Sequence, residues 1–411
     1  MHVQGALRQL AGVNPKGQHH EARWAHPFAA RMPLSVAEHF VRELSQPNAV
    51  VLDPMVGSGT TAVAARRLGR CAVGIDRDPL ALLISRVVTT TYSLKHVLAV
   101  SERILKRARL LLAHKRVPVL LTGERGRFIE YWFPVEAQRQ LTALARSIVN
   151  EPAGAERDFA WLVFSSSIIA KSAGASWAMD ISRSRPHKRE DKGVVLPFEA
   201  WTERCAMAAA RLPFRDTGPT PAARILGGDA RNLSLEDGSV DMVLTSPPYL
   251  SAIDYLRAHR FSLVWMGFSM ETIRGLRATM VGTERGLWSA DGLPPSMEAR
   301  LAQVVTLPRS RAHRRQYLSD LKKVLGEAAR VLRARGLIVV AVGPRILSPA
   351  SDDAAAVVDL LAADVGLRKV GSVTRHLRAA DRSLPFLGRG VGKVLSQRMD
   401  REVFVALRKQ P

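Results

Sequence analysis

The sequence predicts an α/β protein with a doubly wound, mostly seven-stranded sheet. Short apolar runs alternate with stretches whose apolar residues recur at helical spacing, which is typical of strands connected by helices. A glycine-rich turn and a short helical pattern separate the first two runs, a context that makes such a turn informative. The seven strand candidates are residues 49–52, 71–75, 224–226, 240–244, 336–342, 367–373 and 402–407.

The strand-helix alternation is interrupted once, between residues 93 and 221. Residues 95–114 form a basic amphipathic pattern, and residues 136–149 and 159–169 continue the helical spacing. The segment is too long for a crossover and too regular for a loop. We therefore expect a mostly helical insertion at 93–221.

The remaining chain divides around this insertion. Residues 21–92 and 222–411 contain all the strand candidates and predict one discontinuous domain built on the sheet. Residues 1–20 are polar and aperiodic and predict a mobile N-terminal tail. Residues 268–316 are irregular, contain Gly, Pro and Met, and end in the basic run 309–315, so they predict a basic loop within the sheet domain.

Charge and cysteine content restrict the class of protein. The 411 residues carry a formal net charge of +23, and arginine outnumbers lysine. Such an excess favours a polyanionic partner such as nucleic acid, although an arginine-biased genome acting on a solvated surface gives the same count. The two cysteines, Cys71 and Cys205, lie far apart and predict neither a disulfide nor a metal site. No signal peptide or membrane-spanning run is present, so we expect a cytoplasmic protein.

Two basic segments and one helix are candidates for contacts with DNA phosphates. The first segment ends the helical insertion, and a merely solvated loop explains it equally well. The second lies in the predicted basic loop, and the helix follows residue 254. The candidate cations are Arg183, Arg185, Lys188, Arg189, Arg257, Arg309, Arg311, Arg314 and Arg315.

A glycine loop follows the first strand candidate. Its sequence, Asp53-Pro54-Met55-Val56-Gly57-Ser58-Gly59-Thr60-Thr61, leads into an Ala-rich helical pattern. Glycines allow backbone to approach a ligand closely, and the helix N-terminus offers free N–H groups. Asp76 ends the next strand about twenty residues later, where a carboxylate meets ribose hydroxyls or simply ends a core strand. The loop lacks the GKT or GKS ending of a P-loop.

A second motif, Thr245-Ser246-Pro247-Pro248-Tyr249, ends the strand candidate at 240–244. The prolines can continue neither a ladder nor a helix, so they form a rigid turn at the carboxyl edge of the sheet, where ligands bind in α/β folds. Carbonyl oxygens beside an aromatic ring suit a planar base with an exocyclic amino group. Asp229, just beyond another strand, either accepts from an adenine amino group or is an ordinary turn residue.

Together these motifs resemble the cofactor and catalytic motifs of the amino-group DNA methyltransferases, which use S-adenosylmethionine. The segment around His26-Pro27-Phe28 looks like the family element that encloses the methionine part of the cofactor. The resemblance covers about residues 24–85 and 222–411. The insertion at 93–221 lies outside it and is a candidate DNA-recognition region. The resemblance implies a Rossmann-like class I methyltransferase fold, S-adenosylmethionine as cofactor, double-stranded DNA as partner and no metal. Met55 departs from the family, which usually has phenylalanine there.

The resemblance also implies roles for individual residues. The turn would supply the catalytic residues Ser246, Pro247, Pro248 and Tyr249. The cofactor-binding residues would be His26, Pro27, Asp53, Pro54, Met55, Gly57, Ser58, Gly59, Thr60, Thr61, Asp76, Asp229 and Thr245.

The serine before the two prolines indicates which base is modified. In the family, Ser-Pro-Pro-Tyr is most often associated with N4 of cytosine, whereas Asp or Asn before the prolines is more typical of N6 of adenine. The sequence therefore predicts a site-specific cytosine-N4 DNA methyltransferase that flips its target base onto Tyr249. An adenine-N6 enzyme, an RNA guanine-N2 methyltransferase and a non-catalytic nucleic-acid-binding protein stay open as alternatives. A cognate restriction endonuclease is a further candidate partner.

Overall fold

The computed structural model describes residues 3–10, 13, 25–28, 31–114, 122–169, 174–179, 181, 186–218, 220–249, 254–283, 293–304, 311–343, 354–377 and 399–410. The helices of this part are α1 (Val3–Leu10), α2 (Leu34–Leu44), α3 (Thr60–Arg67), α4 (Pro79–Val88), α5 (Leu94–Ala113), α6 (Gly123–Trp132), α7 (Val135–Val149), α8 (Ala155–Ile169), α9 (Pro197–Ala210), α10 (Tyr255–Leu263), α11 (Met270–Ala278), α12 (Pro295–Val304), α13 (Arg311–Val331) and α14 (Ala354–Ala363). The strands are β1 (Val50–Asp53), β2 (Cys71–Asp76), β3 (Ala178–Met179), β4 (His187–Lys188), β5 (Ala223–Gly227), β6 (Val240–Thr245), β7 (Leu332–Val342), β8 (Leu367–His376) and β9 (Arg401–Lys409).

The main sheet has seven strands in the order β5-β2-β1-β6-β7-β9-β8. Neighbours from β5 to β7 pair in parallel, and β9 pairs antiparallel with both β7 and β8. The chain builds outward from β1 to β2 and β5 on one side, then returns to place β6 on the other side of β1. The predicted class I fold with its doubly wound sheet is confirmed, and the strand order reverses between β1 and β6.

Apolar side chains cover both faces of the sheet. In β1, Val51 belongs to one buried cluster and the next residue, Leu52, to the other, because successive side chains of a strand point to opposite faces. The first cluster includes buried residues of α2, α3 and α4 and of all helices from α5 to α9. The second includes buried residues of α13 and α14. Burial on both faces explains why the central strands are continuous apolar runs.

The segment between β2 and β5 is mostly helical, as the sequence predicts. Helix α5 packs on α7 and α9, and α8 packs on both α4 and α10. A small antiparallel pair, β3 and β4, lies within the same segment. Since α8 shares one apolar cluster with β1 and β6, the helices pack directly on the sheet domain.

The prediction of a mobile N-terminal tail is wrong over Val3–Leu10. Val3, Ala6, Leu7 and Leu10 recur at helical spacing and are buried. The helix packs on β8: a Cβ at Gly371 would lie 2.5 Å from Leu7 Cδ1, and Gln4 Nε2 donates to the Val370 carbonyl at 2.7 Å. Four apolar residues are too short a pattern to identify a helix before its partner strand is known.

A further expectation is corrected. The predicted basic loop at 268–316 contains α11, α12 and the start of α13. Helix α2 begins at Leu34 with Pro33 at its N-cap and no side-chain capping bond. No helix in the described part of the chain is long and apolar enough to cross a membrane.

Candidate active site at the carboxyl edge of the sheet

The glycine loop connects β1 to α3 and is tightly held. Gly57 and Gly59 have φ angles of +50° and +83°, which favour glycine. A Cβ at Gly59 would lie 2.8 Å from Val88 Cγ2, so a larger residue does not fit there. Ser85 Oγ donates to the Gly57 carbonyl at 2.8 Å, and the Val56 amide donates to the Ile75 carbonyl at 2.9 Å. The loop is therefore fixed against both β2 and α4.

Asp76 lies at the end of β2, beside this loop. Its Oδ2 accepts from the Gly57 amide at 2.9 Å and its Oδ1 from the Asp78 amide at 3.0 Å. Burial raises the pKa of Asp76 to about 7, and the neighbouring Asp78 carboxylate adds to this shift. The carboxyl group thus braces the loop and still faces the cleft, where its remaining lone pairs can accept from hydroxyl groups.

Asp53 and Thr245 join the ends of the two central strands. Thr245 Oγ1 donates to Asp53 Oδ1 at 2.8 Å, and the Met55 amide donates to the same oxygen at 3.1 Å. Thr61 Oγ1 donates to the Leu244 carbonyl at 3.2 Å. Burial raises the pKa of Asp53 to about 6, although these donors oppose the shift. Thr245 acts here as a bridge between β6 and β1.

A cleft of about 810 Å³, counting the part open to solvent, lies along this edge. Most of the predicted site residues line it. They are Asp53, Pro54, Met55, Gly57, Ser58, Thr60, Thr61, Asp76, Asp229, Ser246 and Pro248. The glycine loop and the Ser-Pro-Pro turn, predicted from separate motifs, are brought together in one cavity.

The predicted site residues that do not line the cleft are His26, Pro27, Gly59, Thr245, Pro247 and Tyr249. His26 is buried, and its Nε2 lies 2.8 Å from Ser165 Oγ on α8, which in turn donates to Ser262 Oγ on α10 at 2.8 Å. Burial lowers the pKa of His26 to about 3, with a further contribution from His259, so its imidazole is neutral. His26 holds three segments together behind the cleft.

An aromatic wall faces the glycine loop, and of its rings only Phe28 belongs to a motif recognised in the sequence. Phe28 stacks on Tyr255 with ring centroids 5.2 Å apart, and a Cβ at Gly57 would lie 3.3 Å from Phe28 Cζ. His259 packs against Phe28 and pairs with the buried carboxylate of Asp78. Phe28 adjoins the His26-Pro27 motif, whereas Tyr255 has no local signal beyond its place after the Ser-Pro-Pro-Tyr turn.

Asp229 is held by two arginines. Arg77 Nη1 and Arg231 Nη2 both pair with its Oδ2, and Arg231 Nε donates to its Oδ1 at 3.0 Å. Burial opposes ionisation, but the bonds from Arg231 hold the pKa of Asp229 below its usual range. Asp229 is therefore a charged member of a network at the cleft, and Arg77 is a lining residue that sequence reasoning missed.

The described candidates for DNA contact are all ion-paired. Lys188 pairs with Glu190, Arg189 with Asp191, Arg257 with Asp254 and Arg315 with Glu298. Lys188 Nζ also lies over the rings of Tyr131 and Trp177, at 4.7 and 4.6 Å. Arg183, Arg185 and Arg309 lie outside the described residues, as do the side chains of Arg311 and Arg314. A role in DNA binding stays a prediction for all nine.

Metal ligands were not expected from the sequence. Among the residues that the structure describes, no group of three His, Cys, Asp or Glu side chains is arranged to hold a metal ion.

The segment that carries the glycine loop is similar in sequence to known DNA methylases. The DNA methylase family model for N6 and N4 enzymes matches residues 8–85, which confirms the predicted resemblance over this segment. A type II methyltransferase of Streptomyces caespitosus is 42% identical over 74 residues, 18% of this chain and 24% of that protein. A type II methyltransferase of Lactococcus lactis subsp. cremoris is 39% identical over 64 residues, 16% of this chain and 24% of that protein.

The matched segments therefore span about a quarter of each of these two relatives. A crystal structure of a SAM-dependent methyltransferase from Methanosarcina mazei aligns with 90% of this chain and 96% of that chain, at 8% identity and a TM-score of 0.34. The strand order, and not this weak similarity, establishes the fold.

Replacing Asp53 by asparagine tests whether burying the ionised carboxylate at this position lowers the stability of the folded protein. The pKa of Asp53 is about 6, above the ordinary 3.8, so the folded protein gains stability as the pH falls through 6 towards 4. Asparagine removes the charge and keeps an oxygen acceptor for Thr245. We expect D53N to melt at a higher temperature than the wild type at about pH 8, with the gain much smaller at about pH 4.5, where the folded wild type has taken up the proton.

Thermal melts at both pH values check this expectation. Asp364→Asn, which removes the partially exposed partner of Lys322 far along the chain from the cleft motifs, is the matched control. Equal destabilisation of D53N at both pH values would contradict a cost of burying charge at this position.

Proposed function

We propose that this chain, whose residues 8–85 belong to the DNA methylase family, transfers a methyl group from S-adenosylmethionine to an exocyclic amino group of a DNA base. One observation carries the proposal. The glycine loop after β1 and the Ser246-Pro247-Pro248 turn after β6 border the same cleft, where the strand order reverses. A donor site and an acceptor site are thereby adjacent.

The cleft residues fit this cofactor chemically. Asp76 offers carboxylate lone pairs to ribose hydroxyls, and Phe28, Met55 and Tyr255 supply apolar walls. Arg31 also lines the cleft, and its side chain gives a positive charge for the carboxylate of the methionine part. When bound, the cofactor supplies a methyl group already activated on a sulfonium, so the chain needs only to orient the acceptor.

The turn after β6 performs that orientation. The target base leaves the duplex and stacks on Tyr249, while Ser246 and the Pro247 carbonyl accept its amino hydrogens. These bonds draw the amino lone pair out of conjugation with the ring and aim it at the methyl carbon. The amino nitrogen would take the methyl group from the sulfonium, whose sulfur would keep the electron pair of the broken C–S bond, and the nitrogen would then release one proton to solvent.

Cytosine N4 is the acceptor that we propose, because serine precedes the two prolines. Adenine N6 is the alternative, since the matching family model covers both kinds of enzyme. Double-stranded DNA is the proposed partner, in agreement with the net charge of +23. A cognate restriction endonuclease is proposed by analogy with the type II relatives alone.

Identification of the methylated nucleoside tests the proposal. The protein is incubated with methyl-labelled S-adenosylmethionine and amplified bacterial DNA, which carries no methylated bases, and the DNA is digested to nucleosides. We expect label in 4-methylcytosine. Label in 6-methyladenine would show that adenine N6 is the acceptor, with amino-group methylation of DNA still supported. Label in 5-methylcytosine, or no label in DNA, would overturn the proposed function. A parallel incubation with RNA tests the RNA alternative.

Variants of Asp76 and Tyr249 separate cofactor binding from transfer. We expect Asp76→Asn to raise the Kd for S-adenosylmethionine by about 10- to 100-fold, because one carboxylate oxygen is replaced by an NH₂ group that cannot accept a hydrogen bond. We expect Tyr249→Ala to reduce the rate of transfer by about 10- to 100-fold through lost base stacking, with the cofactor Kd unchanged.

Calorimetric titration and single-turnover kinetics measure the two effects. Asp364→Asn again serves as a control that should change neither quantity. The opposite pattern, with cofactor affinity lost in the Tyr249 variant and retained in the Asp76 variant, would show that the two roles are exchanged.

A further inference from the structure

Strand β9 brings its first residues to the cleft edge of the sheet. It runs antiparallel to β7, so its N-terminal end lies beside the carboxyl end of β7, where Val342 pairs with Val403. A parallel strand at this position would place its last residues there instead. The reversed direction therefore places Glu402 at the edge that holds the Ser-Pro-Pro-Tyr turn.

Glu402 contacts the aromatic residue of that turn. The hydroxyl group of Tyr249 donates to Glu402 Oε1 at 3.4 Å. The Tyr249 ring packs over the backbone of Gly343, where a Cβ would lie 3.5 Å from Tyr249 Cδ2 and 3.6 Å from Met399 Sδ. Burial, together with the Glu402 carboxylate, raises the pKa of Tyr249 far above its ordinary value, so the hydroxyl keeps the proton that it donates.

Arg375 holds the other side of the same carboxylate. Arg375 of β8 and Glu402 of β9 are direct cross-strand partners, and Arg375 Nη1 donates to Glu402 Oε2 at 3.1 Å. The two side chains are only 6% and 14% exposed. In this low-dielectric setting the ion pair fixes the carboxylate, and the carboxylate in turn fixes the tyrosine hydroxyl.

We propose that Glu402 is a positioning residue for Tyr249, and that Arg375 holds Glu402 in place for this task. The inference rests on the proposed function, in which Tyr249 stacks against the target base. A tyrosine side chain rotates about two bonds, and the hydrogen bond removes that freedom before the base arrives. The ring plane is then already set for the reaction, so the effect falls on the rate of transfer and not on cofactor binding.

Two single variants and their combination test the inference. Tyr249→Phe keeps the ring and removes the donor. Glu402→Leu keeps a side chain of similar size and removes both acceptor oxygens, so Tyr249 has no hydrogen-bond partner at this position in either direction. We expect each variant to lower kcat for transfer to DNA about tenfold, and the double variant to lose no more than either single one. The KM for S-adenosylmethionine should not change.

The control is Asp359→Asn, which breaks the ion pair with Lys369, also on β8. It should leave kcat unchanged. A purely structural role for Glu402 predicts a different pattern: Y249F retains full kcat, E402L lowers only the melting temperature, or the losses in kcat multiply in the double variant. Any of these three results, in a wild type that methylates DNA, overturns this inference alone. A wild type without transfer to DNA overturns the proposed function and this inference with it.

Discussion

The hydrogen bond from Thr245 Oγ1 to Asp53 Oδ1, 2.8 Å long and fully buried, is the constraint on which the rest of the site depends. It joins β6 to β1 at the position where the strand order reverses. The glycine loop follows Asp53 in the sequence, and the Ser-Pro-Pro-Tyr turn follows Thr245. The spacing between the two proposed subsites is therefore set by sheet geometry, at the cost of a buried carboxyl whose pKa is raised to about 6.

The helices between β2 and β5 contribute to the same site from behind. Ser165 of α8 links the neutral imidazole of His26 to Ser262 of α10 through buried hydrogen bonds. This chain fixes the segment that carries Phe28 against Tyr255, and the two rings form one wall of the cleft. A buried polar chain of this kind is directional, so it specifies one arrangement of these segments where apolar packing alone would allow several.

Local patterns predicted most of the sheet and part of the site. Every predicted strand is present, and the central ones were recognisable because strands buried on both faces are mostly apolar, as at Met242, Val243 and Leu244 of β6. The glycine loop was recognisable since its conformation requires particular residues at Gly57 and Gly59. Helix α1 and the cleft residue Arg77 were missed, because each is defined by partners distant in sequence, β8 for the helix and Asp229 for the arginine.

A crystal structure with bound S-adenosylmethionine tests the central claim most directly, that one cleft holds the methyl donor beside the acceptor turn. The account predicts ribose hydroxyls within hydrogen-bond distance of the Asp76 carboxylate and the methyl group directed at the space next to Ser246 and Tyr249. A cofactor bound away from the glycine loop, or one with its methyl group turned away from the Ser-Pro-Pro-Tyr turn, would contradict it.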